Sequence, residues 1–230
     1  AAAAPAAHRA TSAAQAKELF AAKSGAVYKA GGIDVLDHLK EHLVEPPRLV
    51  DLKAIPGLDQ INVEGDGSLK IGALATLAKV AAHEGVRKGH PALARACGEA
   101  ASPQIRNAAT LGGNVRQRPR CWYYRLESYK CIKKGGDTCF AVAGENRYHV
   151  IFGGGPSYIV HPSDLAPALV ALGARVTLRG KSGTRTVELK KFFTLAAEGS
   201  ILRENVLEAG EFVESVTVPA AAETPITWIS

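Results

Sequence analysis

The sequence predicts an α+β chain of two lobes: a small βαβ lobe over residues 1–58 and a larger mixed α+β lobe over 59–219. Three observations predict it. Residues 26–52 read as strand, glycine pair, amphipathic helix and strand, the pattern of a βαβ unit with short links. Residues 61–74 run through Asp66-Gly67, the turn dipeptide of a β-hairpin. Residues 164–218 give a capped apolar helix followed by strand-like alternation.

Taken in order, residues 12–23 read as a helix with Ser12 as its N-cap, stopped by Ser24-Gly25. Residues 26–30 form a short strand. After Gly31-Gly32, Val35, Leu36, Leu39 and Leu43 fall on one helical face, with Asp34 or Asp37 in the first turn. His38 and His42 then read as part of the solvated face. Pro46-Pro47 ends that helix and residues 48–52 give a second strand. Past the hairpin, helices are expected near 76–83 and 91–99, with Cys97 as a small core residue. Residues 101–125 hold no period for long and read as a loop. The stretch 126–156 is irregular, with 149–152 as its strand candidate. A helix over 164–172 and strands over 174–179 and 211–218 complete the second lobe. Residues 220–230 look like the start of a further segment.

The chain of 230 residues is 47% hydrophobic and 22% charged, which is ordinary for a globular protein with a proper core. It holds no apolar run of about 18 residues and no basic, leucine-rich leader, so neither a transmembrane helix nor a signal peptide is expected. A cytoplasmic location follows, with the periplasm as the alternative if a partner carries the chain across. The net charge of +6 is spread along the chain and suits an anionic ligand better than it argues for nucleic acid. There is no methionine, even at position 1, which predicts a trimmed chain.

Four features carry chemistry. Gly31-Gly32 sits between a strand and a helix start, where backbone N–H groups are unsatisfied and a phosphate can approach closely. Gly112-Gly113-Asn114 offers a second such turn. Either pair alone reads first as a plain tight turn, and neither belongs to a G-x-G-x-x-G or a P-loop fingerprint. Cys121, Cys131 and Cys139 cluster in flexible sequence, which suits an iron–sulfur cluster or zinc, or three free thiols. Arg116, Arg118, Arg120 and Arg125 surround Trp122-Tyr123-Tyr124: a single-strand nucleic-acid surface, or guanidinium groups paired with carboxylates around packed rings. Finally, Ser163-Asp164 precedes an apolar helix and reads as its N-cap, with Asp164 also placed to meet a ligand there.

Five segments carry a resemblance: KAGGIDVLDHLK (29–40), RLVDL (48–52), LKIGALATL (69–77), ASPQIRNAATLGGNVRQ (101–117) and HPSDLAPALVALGARV (161–176). In this order they resemble the FAD-binding, or medium, subunit of molybdenum hydroxylases, the xanthine, aldehyde and carbon monoxide dehydrogenase group. RPRCWYYR (118–125) with CFAVAGENRYHVIFGG (139–154) is similar to the aldehyde-oxidoreductase branch, whose flavin subunit carries an extra [4Fe–4S] cluster in this loop.

The resemblance implies a two-lobed FAD domain of the PCMH/vanillyl-alcohol-oxidase type. FAD would lie between the lobes, its diphosphate held by Lys29, Ala30, Gly31, Gly32, Ile33, Asp34, Val35 and Leu36. Thr110, Gly112, Gly113, Asn114 and Gln117 would line the second flavin loop, and Asp164 would contact the cofactor from its helix start. Ile33 stands where a polar residue is common. Cys121, Cys131 and Cys139 would be cluster ligands within 118–157, with Ser157 at the position of the branch's fourth cysteine. The partners implied are a [2Fe–2S] small subunit, a molybdopterin large subunit and an external electron acceptor, with no catalytic side chain in this chain. The family's C-terminal domain would begin near residue 219. Two other readings remain at this level: a nucleic-acid-binding module on the arginine–aromatic loop, and a structural subunit without cofactor.

Overall fold

The computed structural model describes residues 5–221. The expectation for 222–230 lies outside the described residues. The fold is mixed α+β, built on two sheets.

The first sheet is parallel, in the order β1 (Ala6–Arg9), β3 (Arg48–Asp51), β2 (Val27–Lys29). Its helices are α1 (Ala13–Ala21) and α2 (Ile33–Lys40). Ser12 caps α1, its hydroxyl accepting from the Gln15 N–H at 3.1 Å. The strand β1 is an addition to the expected βαβ unit. Its AAHR sequence carries no β-branched or alternating signal, and pairing with β3 decides its conformation. His38 is a correction to the solvated face: it is buried, its Nδ1–H donating to the Asp34 carbonyl at 2.7 Å while Nε2 accepts from the Tyr124 hydroxyl at 2.9 Å.

The second sheet is antiparallel, in the order β4 (Ile61–Val63), β5 (Leu69–Gly72), β8 (Phe212–Val218), β6 (Arg175–Gly180), β7 (Gly183–Glu188). The register between β6 and β8 shifts between Thr177 and Leu178, because Thr177 pairs with Ser215 and Leu178 with Val213. Glu214 is therefore the extra residue of a bulge. Its carboxylate takes a bidentate bond from Arg179, and its carbonyl accepts from the Ala73 N–H at 2.9 Å. The bulge thus ties the sheet's central strand to the segment that leads into the site.

Helices α3 (Leu77–Ala82), α4 (Glu84–Gly89), α5 (Pro91–Glu99) and α9 (Leu165–Ala171) accompany this sheet. The larger core runs through Leu69, Ile71, Leu93, Cys97, Leu169, Val176, Phe192 and Val216, all essentially inaccessible. Burial pushes the Cys97 thiol up to about 12, as fits a core residue. A second core, around Tyr28, Val50, Leu74 and Phe212, draws residues from both sheets.

The expected loop over 101–125 is a series of short helices: α6 (Pro103–Ala108), α7 (Leu111–Val115) and α8 (Trp122–Arg125). Ser102 and Thr110 cap the first two, accepting from Ile105 and Gly113. None is long enough to show a period, so caps mark them where hydrophobic pattern does not. Residues 126–160 hold two single 3₁₀ turns, at Ile132–Lys134 and Phe140–Val142, and one isolated bridge between Cys131 and Thr138. The strand candidate at 149–152 does not form; Ile151 and Phe152 are exposed and pair with nothing.

Candidate functional site

A cavity of about 790 Å³ is lined by residues of both sheets, Tyr28 of β2 and Phe212 of β8 among them. That is within the usual range of ligand sites, roughly 300–1,000 Å³. Its walls include the turn into α2, the α6–α7 segment, the start of α9, and the segment 202–213 that leads into β8.

Of the residues expected to hold a cofactor, Ala30, Gly31, Gly32, Ile33, Asp34, Val35, Thr110, Gly112, Gly113, Asn114, Gln117 and Asp164 all line this one cavity. Two stand elsewhere. Lys29 is not on the wall; its Nζ pairs with Asp51 at 2.9 Å, between β2 and β3. Leu36 is half exposed and packs beside Gly32.

The two glycine turns meet. A methyl group on Gly31 would run into the Ala108 carbonyl, so only glycine lets the first turn close against the second segment. Gly32 is the N-cap of α2 at φ +88°, a left-handed conformation that other residues adopt at a cost. No side chain caps α2, so its first N–H groups are left for solvent or a ligand. The second turn differs from expectation. The Gly112 N–H donates to the Ala73 carbonyl at 2.9 Å, Gly113 to Thr110 Oγ1 at 3.2 Å and Asn114 to the Thr110 carbonyl at 2.8 Å. Its backbone donors are already engaged, so it serves as a wall, not as an anion nest. The cap expected of Ser163-Asp164 falls to Ser163: its Oγ accepts from the Ala166 N–H at 3.0 Å and donates to Asn114 Oδ1 at 2.6 Å. Asp164 stays exposed on the cavity wall.

Sequence reasoning missed the wall over 202–213. Its signal is weak, the polar turn Glu208-Ala209-Gly210-Glu211 ahead of an alternating strand. The structure closes it against the first sheet. The Tyr28 hydroxyl donates to the Gly210 carbonyl at 3.1 Å, and the Tyr28 ring stacks on Phe20 and meets Phe212 edge-on. Burial pushes the Tyr28 hydroxyl up to about 12, so it stays a donor.

The arginine–aromatic loop turns inward. Arg125 bridges Asp34 at 2.8 Å and Asp37 at 2.5 Å, and the Arg118 N–H donates to Asp34 at 3.0 Å. The Arg118 side chain and Lys133 share the buried carboxylate of Glu204, at 2.8 and 2.6 Å. Tyr123 and Tyr124 are buried, and Tyr123 packs on Tyr129, Phe140 and His149. Arg118 and Arg125 thus pair with carboxylates around packed rings, whereas Arg116 and Arg120 are exposed and, among the described residues, pair with no carboxylate.

Cys131 is buried, while Cys121 and Cys139 are partly so. Cys121 Sγ lies 3.2 Å from His149 Nε2. Burial raises the Cys121 thiol, and the neighbouring Cys131 and Cys139 raise it further, so the three thiols share one locality. Ser157 is buried and, among the described residues, its hydroxyl has no partner. Among the described residues, though, no three Cys, His, Asp or Glu side chains are gathered closely enough for a metal ion. No described helix is long and apolar enough to cross a membrane.

A two-sheet α+β scaffold with two glycine turns meeting at one cavity defines a ligand-binding domain. Residues 3–221 match the family described as FAD binding domain in molybdopterin dehydrogenase, and the chain belongs to that family. It is 38% identical over 198 residues to the aldehyde oxidoreductase FAD-binding subunit PaoB of Escherichia coli K12, covering 85% of this chain and 62% of that one. It is 39% identical over 108 residues to the xanthine dehydrogenase FAD-binding subunit of Escherichia coli O157:H7, covering 47% of this chain and 37% of that one. Among solved structures, carbon monoxide dehydrogenase from Hydrogenophaga pseudoflava superposes with a TM-score of 0.69 at 25% identity, covering 97% of this chain and 61% of the other. The chain thus spans about three fifths of the length of PaoB and of the dehydrogenase chain.

Proposed function

We propose that this chain is the FAD-carrying electron-transfer component of a molybdenum hydroxylase, an oxidoreductase whose substrate is oxidised on another subunit. The observation that carries this is the closure of the Gly31-Gly32 turn on the Ala108–Gly113 segment across one cavity. The uncapped start of α2 offers free N–H groups to a diphosphate, Thr110, Gly112, Gly113, Asn114 and Gln117 form the facing wall, and Asp164 reaches the cavity from the start of α9. Bound there, FAD supplies one- and two-electron redox chemistry, and the protein positions and tunes it. No side chain of this chain acts as acid, base or nucleophile. The partners are a [2Fe–2S] small subunit, a molybdopterin large subunit and an external electron acceptor, by analogy with relatives named as FAD-binding subunits or medium chains. The lobes are assigned as 1–58 and 59–219.

A [4Fe–4S] cluster on Cys121, Cys131, Cys139 and Ser157 is a finer reading. Its support is the shared locality of the thiols and the unpartnered Ser157 hydroxyl. The ligand set is not closed, since Cys121 faces His149 and, among the described residues, no three ligating side chains stand close enough for a metal ion, so the flavin role is assigned no step through it.

The test is cofactor extraction from purified chain with iron and acid-labile sulfide analysis. Flavin absorbance at about 450 nm and FAD in the extract are expected. A folded chain that takes up no FAD on reconstitution would defeat the reading. Iron that increases in Ser157→Cys would show that the fourth ligand matters.

A further inference from the structure

The charged groups around the start of α2 do not balance. Asp34, Asp37 and Glu204 are its carboxylates. Arg125 engages Asp34 and Asp37 together, and Arg118 with Lys133 takes both oxygens of Glu204. Among the other arginines that line the cavity, Arg120 bonds Gln117 Oε1 at 3.4 Å and Arg203 the Leu207 carbonyl at 3.1 Å, which leaves Arg116. It follows α7 directly and lines the cavity, where its accessible surface opens. It lies within electrostatic reach of Asp34 and Glu204, yet among the described residues it forms neither an ion pair nor a side-chain hydrogen bond with any group. A positive charge so placed is stabilised by an anion. The uncapped N-terminus of α2 favours an anion at the same end of the cavity. The second glycine turn's own N–H groups are engaged, and Arg116 stands three residues past Gly113.

We propose that Arg116 contacts the diphosphate of the bound dinucleotide and supplies the positive charge that the second turn's backbone does not. This rests on the FAD reading above. A guanidinium fits because it offers several donors in one plane to phosphate oxygens.

The experiment compares FAD and riboflavin binding to wild type, Arg116→Ala and Arg116→Lys by fluorescence titration, with FAD titrated at several salt concentrations. Riboflavin lacks the diphosphate and serves as the control for folding and for the ring site. Arg116→Ala is expected to weaken FAD binding about 10- to 100-fold, the range of a charge-assisted hydrogen bond, and to flatten its salt dependence. Riboflavin binding is expected to stay within about 2-fold, a difference of no more than about 0.4 kcal/mol. Arg116→Lys is expected to recover part of the loss. Unchanged FAD affinity and salt dependence in Arg116→Ala, or an equal loss for both flavins, overturns the inference and leaves the FAD reading standing. If wild type binds no FAD, both fall.

Discussion

Ser163 donates its hydroxyl to Asn114 Oδ1 at 2.6 Å while accepting from the Ala166 N–H at 3.0 Å. One side chain therefore caps α9 and anchors the second glycine turn, 49 positions away in the chain. Two walls of the cavity are held at a fixed separation by a single buried hydroxyl.

Ser163→Ala removes the cap and leaves the Asn114 amide oxygen short of a donor. A loss of about 1–3 kcal/mol in stability is expected, the combined scale of a lost cap and an unmet polar group. Urea denaturation measures it. FAD affinity is expected to fall as well, whereas Ser163→Thr is expected to retain most of both.

Gly31→Ala puts a methyl group into the Ala108 carbonyl. Backbone cannot yield as a flexible side chain can, so the two turns must part, at a cost of about 1–3 kcal/mol. The expected outcome is a folded protein with a lowered melting temperature and little bound flavin. Retention of wild-type flavin content by this variant would show that the turns need not touch.

Glu204 is 4% exposed and holds two cations, one from the cavity wall and one from the cysteine-bearing loop. Glu204→Gln keeps the shape and removes the charge, leaving the buried Lys133 ammonium uncompensated. Breaking a buried pair in this way costs about 3–5 kcal/mol. Limited proteolysis is expected to cut residues 126–157 faster in the variant, because that segment has no regular structure of its own to hold it.

His38 gives a pH dependence with a definite sign. Burial lowers its pKa from the ordinary 6.5, against the smaller upward pull of the Asp34 carbonyl and carboxylate. In the unfolded chain the ring gains a proton at about 6.5, and in the fold only at lower pH. Stability from this group is thus complete above about 6.5 and is lost as pH falls through the folded value. Thermal melting between pH 7.5 and 5 is expected to show the decline, and His38→Gln to flatten it.

Much of the fold was legible before any coordinates. The helix over 91–99, the Ser12 cap, the Asp66-Gly67 hairpin and the last strand follow from periods and caps that are local. What escaped was non-local. The strand β1 has no strand signal of its own and exists because β3 offers it an edge. The burial of His38 depends on Tyr124, which lies 86 positions away.

By itself the sequence determined the kind of protein: α+β, with glycine turns in a family-specific order and many of the residues that line the cavity. Only the tertiary structure decided which turn keeps free N–H groups, which arginines are already paired, and that residues 202–213 complete the wall. The reason is physical. Hydrophobic period and capping act over a few residues, whereas hydrogen-bond satisfaction and charge pairing are settled by groups that meet only once the chain has folded.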